Sequence, residues 1–260
     1  MNSTIASFPD LQKTARRRLI KMHYDAGVGH LGGNLSALDT LLFLHHHVMN
    51  QDDIFVLSKG HAVGALYITL WTKGILSDTE LYSFHANNTR LPGHPPPNTI
   101  DGIPVATGSL GHGLPISCGI AIARKLVNKN GRIFCLCSDG EWQEGSNWEA
   151  LIFSRHHNLD NLVILVDVNK LQGFGTTMEV ASMASLKRNF ESFDLNVSEL
   201  DGHDFNSLST IQHADYSTRN VYLLNTVKGK GISFMENILD WHYLPLTEDL
   251  YELALKEQGE

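Results

Sequence analysis

Cysteine is scarce in this sequence: three in 260 residues, Cys118, Cys135 and Cys137. An odd count, with two on alternate positions of one apolar stretch, is not the layout of a disulfide framework. It fits reduced thiols in a cytoplasmic protein. Zinc motifs put two to four residues between their cysteines and this pair has one, so Cys135 and Cys137 read as buried structural thiols rather than ligands. No apolar run approaches the roughly 20 residues that a membrane span needs. The start, Met1-Asn-Ser-Thr-Ile-Ala-Ser-Phe-Pro9, lacks the charged-then-apolar order of a signal peptide. Blocks of like charge are missing too. The net charge of -8 is spread along the chain, which argues against a nucleic-acid partner. Repeats, linkers and shifts in composition are also absent. One domain over residues 1–260, ending in a helical extension over about 245–260, is the simplest account, and 42% hydrophobic residues can supply its core.

What is present is an alternation of strand and helix. Asp10 to Tyr24 reads as a helix with Leu11, Ala15, Leu19 and Met22 on one face, and with Arg16, Arg17 and Lys21 on a solvated one. Gly27 to Gly33 interrupts it, and Ser36 caps a second helix from Ala37 to about Val48. Asp53–Leu57, Ile133–Cys137, Leu162–Val168 and Val221–Val227 read as buried strands. Helices follow at about 62–73, from Ser77-Asp-Thr-Glu80, at 113–127, from Gly145, and at 247–256. The expected class is α/β: a doubly wound, mainly parallel sheet with helices on both faces, binding its ligand beyond the carboxyl ends of the strands.

The most informative stretch is Ser138-Asp-Gly-Glu-Trp-Gln-Glu-Gly145. Asp139 stands at the end of one core strand, and Asn169 at the end of the next. Two such ends side by side offer two hard oxygens to one small cation, and Gly140 lets a phosphate approach the main chain. Mg²⁺ wants such oxygens and commonly keeps substrate phosphates in its shell. The other unusual feature is histidine, fourteen in all, several of them in glycine-rich turns. The run His45-His46-His47 is not a site: consecutive helical residues point about 100° apart. It reads as a helix-end cluster favoured by the dipole. His85 to Pro104, rich in Pro, Asn and Gly, is long for a structureless loop, and such loops are commonly functional.

Asp139-Gly140 followed by Asn169 resembles the thiamine diphosphate motif. The flanking words resemble transketolases in order along the chain: Gly29-His30-Leu-Gly-Gly-Asn-Leu-Ser36, Val56-Leu-Ser-Lys-Gly-His61-Ala, Pro92-Gly-His94-Pro, Thr107-Gly-Ser-Leu-Gly-His112-Gly and Asn225-Thr-Val-Lys-Gly-Lys-Gly231. The resemblance implies thiamine diphosphate and Mg²⁺ as cofactors, with Asp139, Asn169 and the Leu171 carbonyl on the metal. It sets His61, Gly108, Ser109, Leu110, Gly140, Glu141 and Asn169 against the cofactor. His30, His61, His94 and His242 match histidines that face the thiazolium ring and the donor sugar. Glu144 matches the glutamate linking two cofactors across a dimer interface. Ser138 stands where the family has a first glycine, Ser109 and His112 depart from its usual turn, and Pro95-Pro96-Pro97 hints at a remodelled substrate loop. The family's pyrimidine-protonating glutamate and most of its sugar-phosphate ligands lie in a second domain. The chain is therefore expected to act as the N-terminal subunit of a split transketolase. It would pair with a C-terminal pyrimidine-binding subunit, forming an α₂β₂ heterotetramer, and transfer a two-carbon ketol unit from a ketose or ketose phosphate to an aldose. The alternatives are a 1-deoxyxylulose-phosphate synthase-like subunit, a specialised biosynthetic transketolase, or a non-catalytic assembly subunit.

Overall fold

The computed structural model describes residues 7–183 and 185–259. Residues 1–6 of the stretch read for targeting, Met1 to Pro9, and the last residue of the carboxyl-terminal extension lie outside them. In chain order the helices are α1 (Phe8–Ala26), α2 (Leu31–Phe43), α3 (Val63–Thr72), α4 (Asp78–Leu81), α5 (Gly113–Leu126), α6 (Gly145–His156), α7 (Thr177–Ala181), α8 (Leu186–Glu191), α9 (Phe205–Gln212) and α10 (Glu248–Glu257). The strands are β1 (Ile54–Leu57), β2 (Ile133–Ser138), β3 (Leu162–Val168), β4 (Asn196–Asp201) and β5 (Asn220–Asn225). All pair in parallel, in the order β1-β2-β3-β5-β4.

A parallel sheet needs helical crossovers, and these cover both faces, so its central strands are apolar on both sides. On β2, Phe134 and Leu136 pack into the core shared with α1, α2 and α3. Ile133, Cys135 and Cys137 pack into the core shared with α5 and α6. Each fully buried aliphatic side chain contributes roughly 1.5–3 kcal/mol to this layering. Among the described residues no helix is long and apolar enough to cross a membrane.

Several local expectations are corrected. The second helix starts at Leu31, not Ala37, with His30 in a left-handed N-cap conformation (φ 64°). Ser36 is therefore not a cap: it is buried mid-helix and donates to Asp167 Oδ2 at 2.6 Å. Gly32 and Gly33 belong to the helix because packing requires them small. A Cβ on Gly32 would lie 3.0 Å from the Trp241 carbonyl oxygen, and one on Gly33 3.5 Å from the His61 ring. Arg16 does not lie on a solvated face; it forks onto the buried Asp39 at 2.9 and 3.1 Å. The His45–His47 run closes the helix in a π-turn over Leu44–Val48. Burial pushes His45 and His46 down to about 4, so both are neutral at pH 7 and no charge–dipole attraction holds them there.

One buried ion pair joins the strand ends. Lys59, just past β1, is wholly buried, and its ammonium meets Asp167 of β3. The same ammonium donates to the Gly33 carbonyl of α2 at 3.1 Å. Asp167 also accepts from Thr226, just past β5. Burial works to raise the Asp167 carboxyl, but Lys59, Ser36 and Thr226 more than offset it and hold it below the usual range. A depressed carboxyl stabilises the fold above the unfolded value and loses that contribution as pH falls through its folded value. Lys59→Met should therefore cost about 3–5 kcal/mol at pH 7, because it strands a buried carboxylate. Urea titrations should show the deficit shrinking as pH falls, because the variant's unpaired buried carboxyl takes up a proton above the usual carboxylate range while the native one stays ionised. Equal stability at pH 7 would rule the pair out as a structural tie.

Candidate functional site

The register pairs Ser138 with Asp167, so the turns that leave β2 and β3 run side by side. The Asp139 carboxylate accepts the Gly140 amide at 2.8 Å on one oxygen and the Lys170 amide at 2.6 Å on the other. Lys170 takes a left-handed conformation (φ 65°) that turns its N–H toward Asp139. The Asn169 side-chain oxygen accepts the Leu171 amide at 3.0 Å. Burial pushes the Asp139 carboxyl up to about 6, and the negative Asp167 nearby adds to it. At pH 7 this is a poorly solvated carboxylate beside an amide oxygen and a loop carbonyl. That donor set fits a hard divalent cation. Among the described residues no cluster of three or more His, Cys, Asp or Glu side chains could hold a metal by itself. A cation here must complete its shell with oxygens from elsewhere, and phosphate oxygens suit that need.

Close approaches line the same edge of the sheet. A Cβ on Gly60 would lie 2.9 Å from the Gly108 nitrogen, and one on Gly108 3.0 Å from the His94 ring. Gly140 faces Gln172 at 3.3 Å by the same measure. Ser109 is exposed and Leu110 half-buried on the turn that leads into α5. Glu141, expected against a cofactor, has its carboxylate engaged within the protein. It accepts from Ser58, from the Gly111 amide at 2.9 Å and from the Ser138 amide at 3.1 Å. It braces three loops and is wholly buried, with its carbonyl taken by Asn147, so it has a structural role rather than the expected contact. Glu144 is exposed at the junction of the 3-10 turn and α6, beside Gly111.

Three of the four expected histidines gather. Ring centroids are 5.9 Å apart for His30 and His61, 5.2 Å for His30 and His242, and 5.7 Å for His61 and His242. Asn34 ties two of them together, donating to the His30 carbonyl at 2.9 Å and the His61 carbonyl at 3.1 Å. His94 is exposed on the long loop, against Gly108, and near enough to His30 to act on it electrostatically. Burial, reinforced by lysines and neighbouring histidines, holds His61 well below its usual value, and burial lowers His30 too. His242 is pushed down to about 3 by burial and by Lys228. The cleft thus holds neutral imidazoles at pH 7, each able to donate from one nitrogen and accept on the other. Lys228 Nζ lies 2.9 Å from His242 Nδ1 and 3.5 Å from the Leu171 carbonyl. The ammonium is the donor, so His242 carries its own proton on Nε2. Lys228 and Lys59 escaped the sequence reading. Each sits between an apolar strand end and a glycine, and that placement was the available signal.

Residues 15–259 match the family described as "Transketolase, thiamine diphosphate binding domain". An apulose-4-phosphate transketolase subunit of Phocaeicola vulgatus is 39% identical over 259 residues, 94% of this chain and 91% of that protein. A 6-deoxy-6-sulfo-D-fructose transketolase subunit of Clostridium sp. is 36% identical over 243 residues, 89% of this chain and 88% of that protein. Human transketolase is 35% identical over 242 residues, which are 89% of this chain and 39% of that protein. The crystal structure of transketolase from Campylobacter jejuni superposes with a TM-score of 0.89 at 29% identity, over all of this chain and 43% of that one. This chain thus spans about two fifths of the length of single-chain transketolases.

A cation held by Asp139 would have to compete with protons for it. Because that carboxyl is held near 6, cation-dependent uptake of thiamine diphosphate should fall roughly tenfold per unit below about pH 6. Calorimetric titration with Mg²⁺ and the cofactor, in the assembled enzyme, measures this. Uptake unchanged between pH 7 and pH 5 would remove Asp139 from the cation's shell.

Proposed function

The chain belongs to the transketolase family through its thiamine diphosphate binding domain, and on that premise we propose that it is the diphosphate-holding subunit of a two-chain transketolase. The observation that carries this reading is the juxtaposition of a buried carboxylate at the end of β2 with a cluster of neutral imidazoles along the same sheet edge. Asp139, Asn169 and the Leu171 carbonyl would hold Mg²⁺ with the diphosphate. The main chain at Gly108, Ser109, Leu110 and Gly140 would lie along the cofactor. Once bound, thiamine diphosphate supplies the carbon–carbon bond chemistry, and the protein supplies position and electrostatics.

The residues of this chain then act on protons. Breaking a ketose and joining its two-carbon unit to an aldose both move protons on sugar hydroxyls and build charge on a carbonyl oxygen. Neutral His30 and His61 can donate to that oxygen or accept from a hydroxyl without first losing a proton to solvent, and His242, its Nδ1 taken by Lys228, can donate from Nε2. His94 would approach from the long loop. Glu144 would meet a neighbouring subunit. The pyrimidine half of the cofactor and most of the grip on the sugar's far end would come from a C-terminal partner subunit, in an α₂β₂ heterotetramer. The division is supported by the two bacterial relatives of similar length, both of which are named for one subunit of a transketolase. They are named for a ketose phosphate and a sulfonated ketose, so we read the donor as a ketose with an anionic group. Free, buried cysteines support a cytoplasmic setting.

The test is reconstitution. The purified chain with thiamine diphosphate, Mg²⁺ and a ketose phosphate donor should show no turnover, and addition of the partner subunit should produce it. His61→Ala should then lower kcat by about 10²–10⁴-fold while the complex still assembles. Turnover by the chain alone would overturn the division of labour. Full turnover by the alanine variant would favour a purely structural subunit.

A further inference from the structure

The long loop carries a second histidine that no role above uses. His85 is held in a left-handed conformation (φ 61°), which non-glycine residues seldom adopt. Its amide donates to the Leu91 carbonyl at 3.0 Å, and its ring stands edge-on to Phe84 with centroids 4.6 Å apart. The ring lies directly on Gly93: any Cβ added there would overlap the imidazole Cε1 and Nε2. Gly93 does not itself need a left-handed backbone, so the glycine is there for space rather than conformation. On the same turn the buried Tyr67 hydroxyl donates to the Pro92 carbonyl at 3.0 Å. The next residue, His94, rests against Gly108. The Gly93–His94 turn is thus gripped at its start by Tyr67 and Leu91, and filled over Gly93 by the His85 ring.

We infer that His85 is a positioning residue, a wedge whose ring fills the space over Gly93 and so sets where His94 stands against the Gly108 turn. It acts through His94 and need not touch substrate or cofactor. The inference rests on the reading of His94 as part of the proposed site. A wedge acts by shape, and this separates it from a proton-handling role. Replacing the ring by a methyl should let the turn shift. Replacing Gly93 by alanine should push the turn off the ring. Doing both should let the new methyl occupy the vacated space.

Steady-state kinetics in the assembled two-subunit enzyme test this. His85→Ala and Gly93→Ala should each lower kcat about 10- to 100-fold, the scale expected when a reacting group is displaced by an ångström, with donor KM within about twofold. The double variant should recover to within a few-fold of the parent, well above the product of the single losses. His85→Phe, which keeps a ring without its nitrogens, should retain most of the activity. Equal losses for His85→Phe and His85→Ala would mean that the imidazole acts chemically, and would overturn the wedge. So would losses that simply multiply in the double variant. His94→Ala separates the two readings. If it abolishes turnover while the His85 and Gly93 variants are silent, only the wedge fails. If His94→Ala is itself silent, the assignment of His94 fails and takes the wedge with it.

Discussion

The buried pair of Lys59 and Asp167 is the constraint on which the geometry of the strand ends depends. A parallel sheet brings its carboxyl ends to one edge but does not dictate how the turns leaving them stand to one another. Here a single segment does so, each residue reaching a different neighbour. Ser58 donates to Glu141 after β2, Lys59 pairs with Asp167 on β3, Gly60 presses on the main chain of Thr107 and Gly108, and His61 joins the imidazole cluster. A wholly buried ammonium and carboxylate are weak evidence for stability, since desolvation offsets much of their attraction. Their value here is directional. Each is satisfied in one arrangement, and that arrangement ties the turn after β1 to β3, to α2 and to the turn after β5.

The charge around this pair explains why the edge suits a cation. Three carboxylates are buried there, those of Asp139, Glu141 and Asp167, against two buried lysines, Lys59 and Lys228. Glu141 is satisfied by two amides and a hydroxyl, and Asp167 by Lys59 and two hydroxyls. Asp139 has only amides. It is the carboxylate whose charge the protein leaves least balanced, and burial accordingly raises it. The burial that opposes its ionisation opposes that of the histidines as well, and Lys59 and Lys228 add to it there, so the imidazoles stay neutral. One edge of the sheet therefore holds a buried carboxylate with few partners beside neutral imidazoles, and a shared low-dielectric setting accounts for both.

What the sequence made legible follows the physics of burial. β2 and β3 are covered on both faces, so they appear as continuous apolar runs, and the residues that end them could be read as ligands before any fold was known. β4 is a polar edge strand, Asn-Val-Ser-Glu-Leu-Asp, with Leu200 its one buried residue, so no periodicity announced it. Ser36 carried a capping signal that tertiary packing overrode, because its hydroxyl finds a better partner in Asp167. Arg16 read as surface because charge patterning along one helix cannot reveal a buried Asp39 on another. The histidines of the cleft were found through the words that contain them. Their common neutrality, and the part of Lys228 in it, needed distances.

The separation of fold from site has a structural basis. Both faces of the sheet are covered by this chain's own helices, which bury a core on each side. The ligand edge is different. Just past the Leu171 carbonyl, Phe174 is 85% exposed and Met178 73% exposed, beside a carboxylate whose charge is unbalanced. Large apolar side chains clustered at a ligand edge are a cost in an isolated chain and an asset at an interface. A chain built this way can hold its own fold and still present half of a pocket. The proposed two-chain enzyme asks for that combination: a self-sufficient core behind an edge whose apolar side chains and charge are both left for a ligand and a partner to cover.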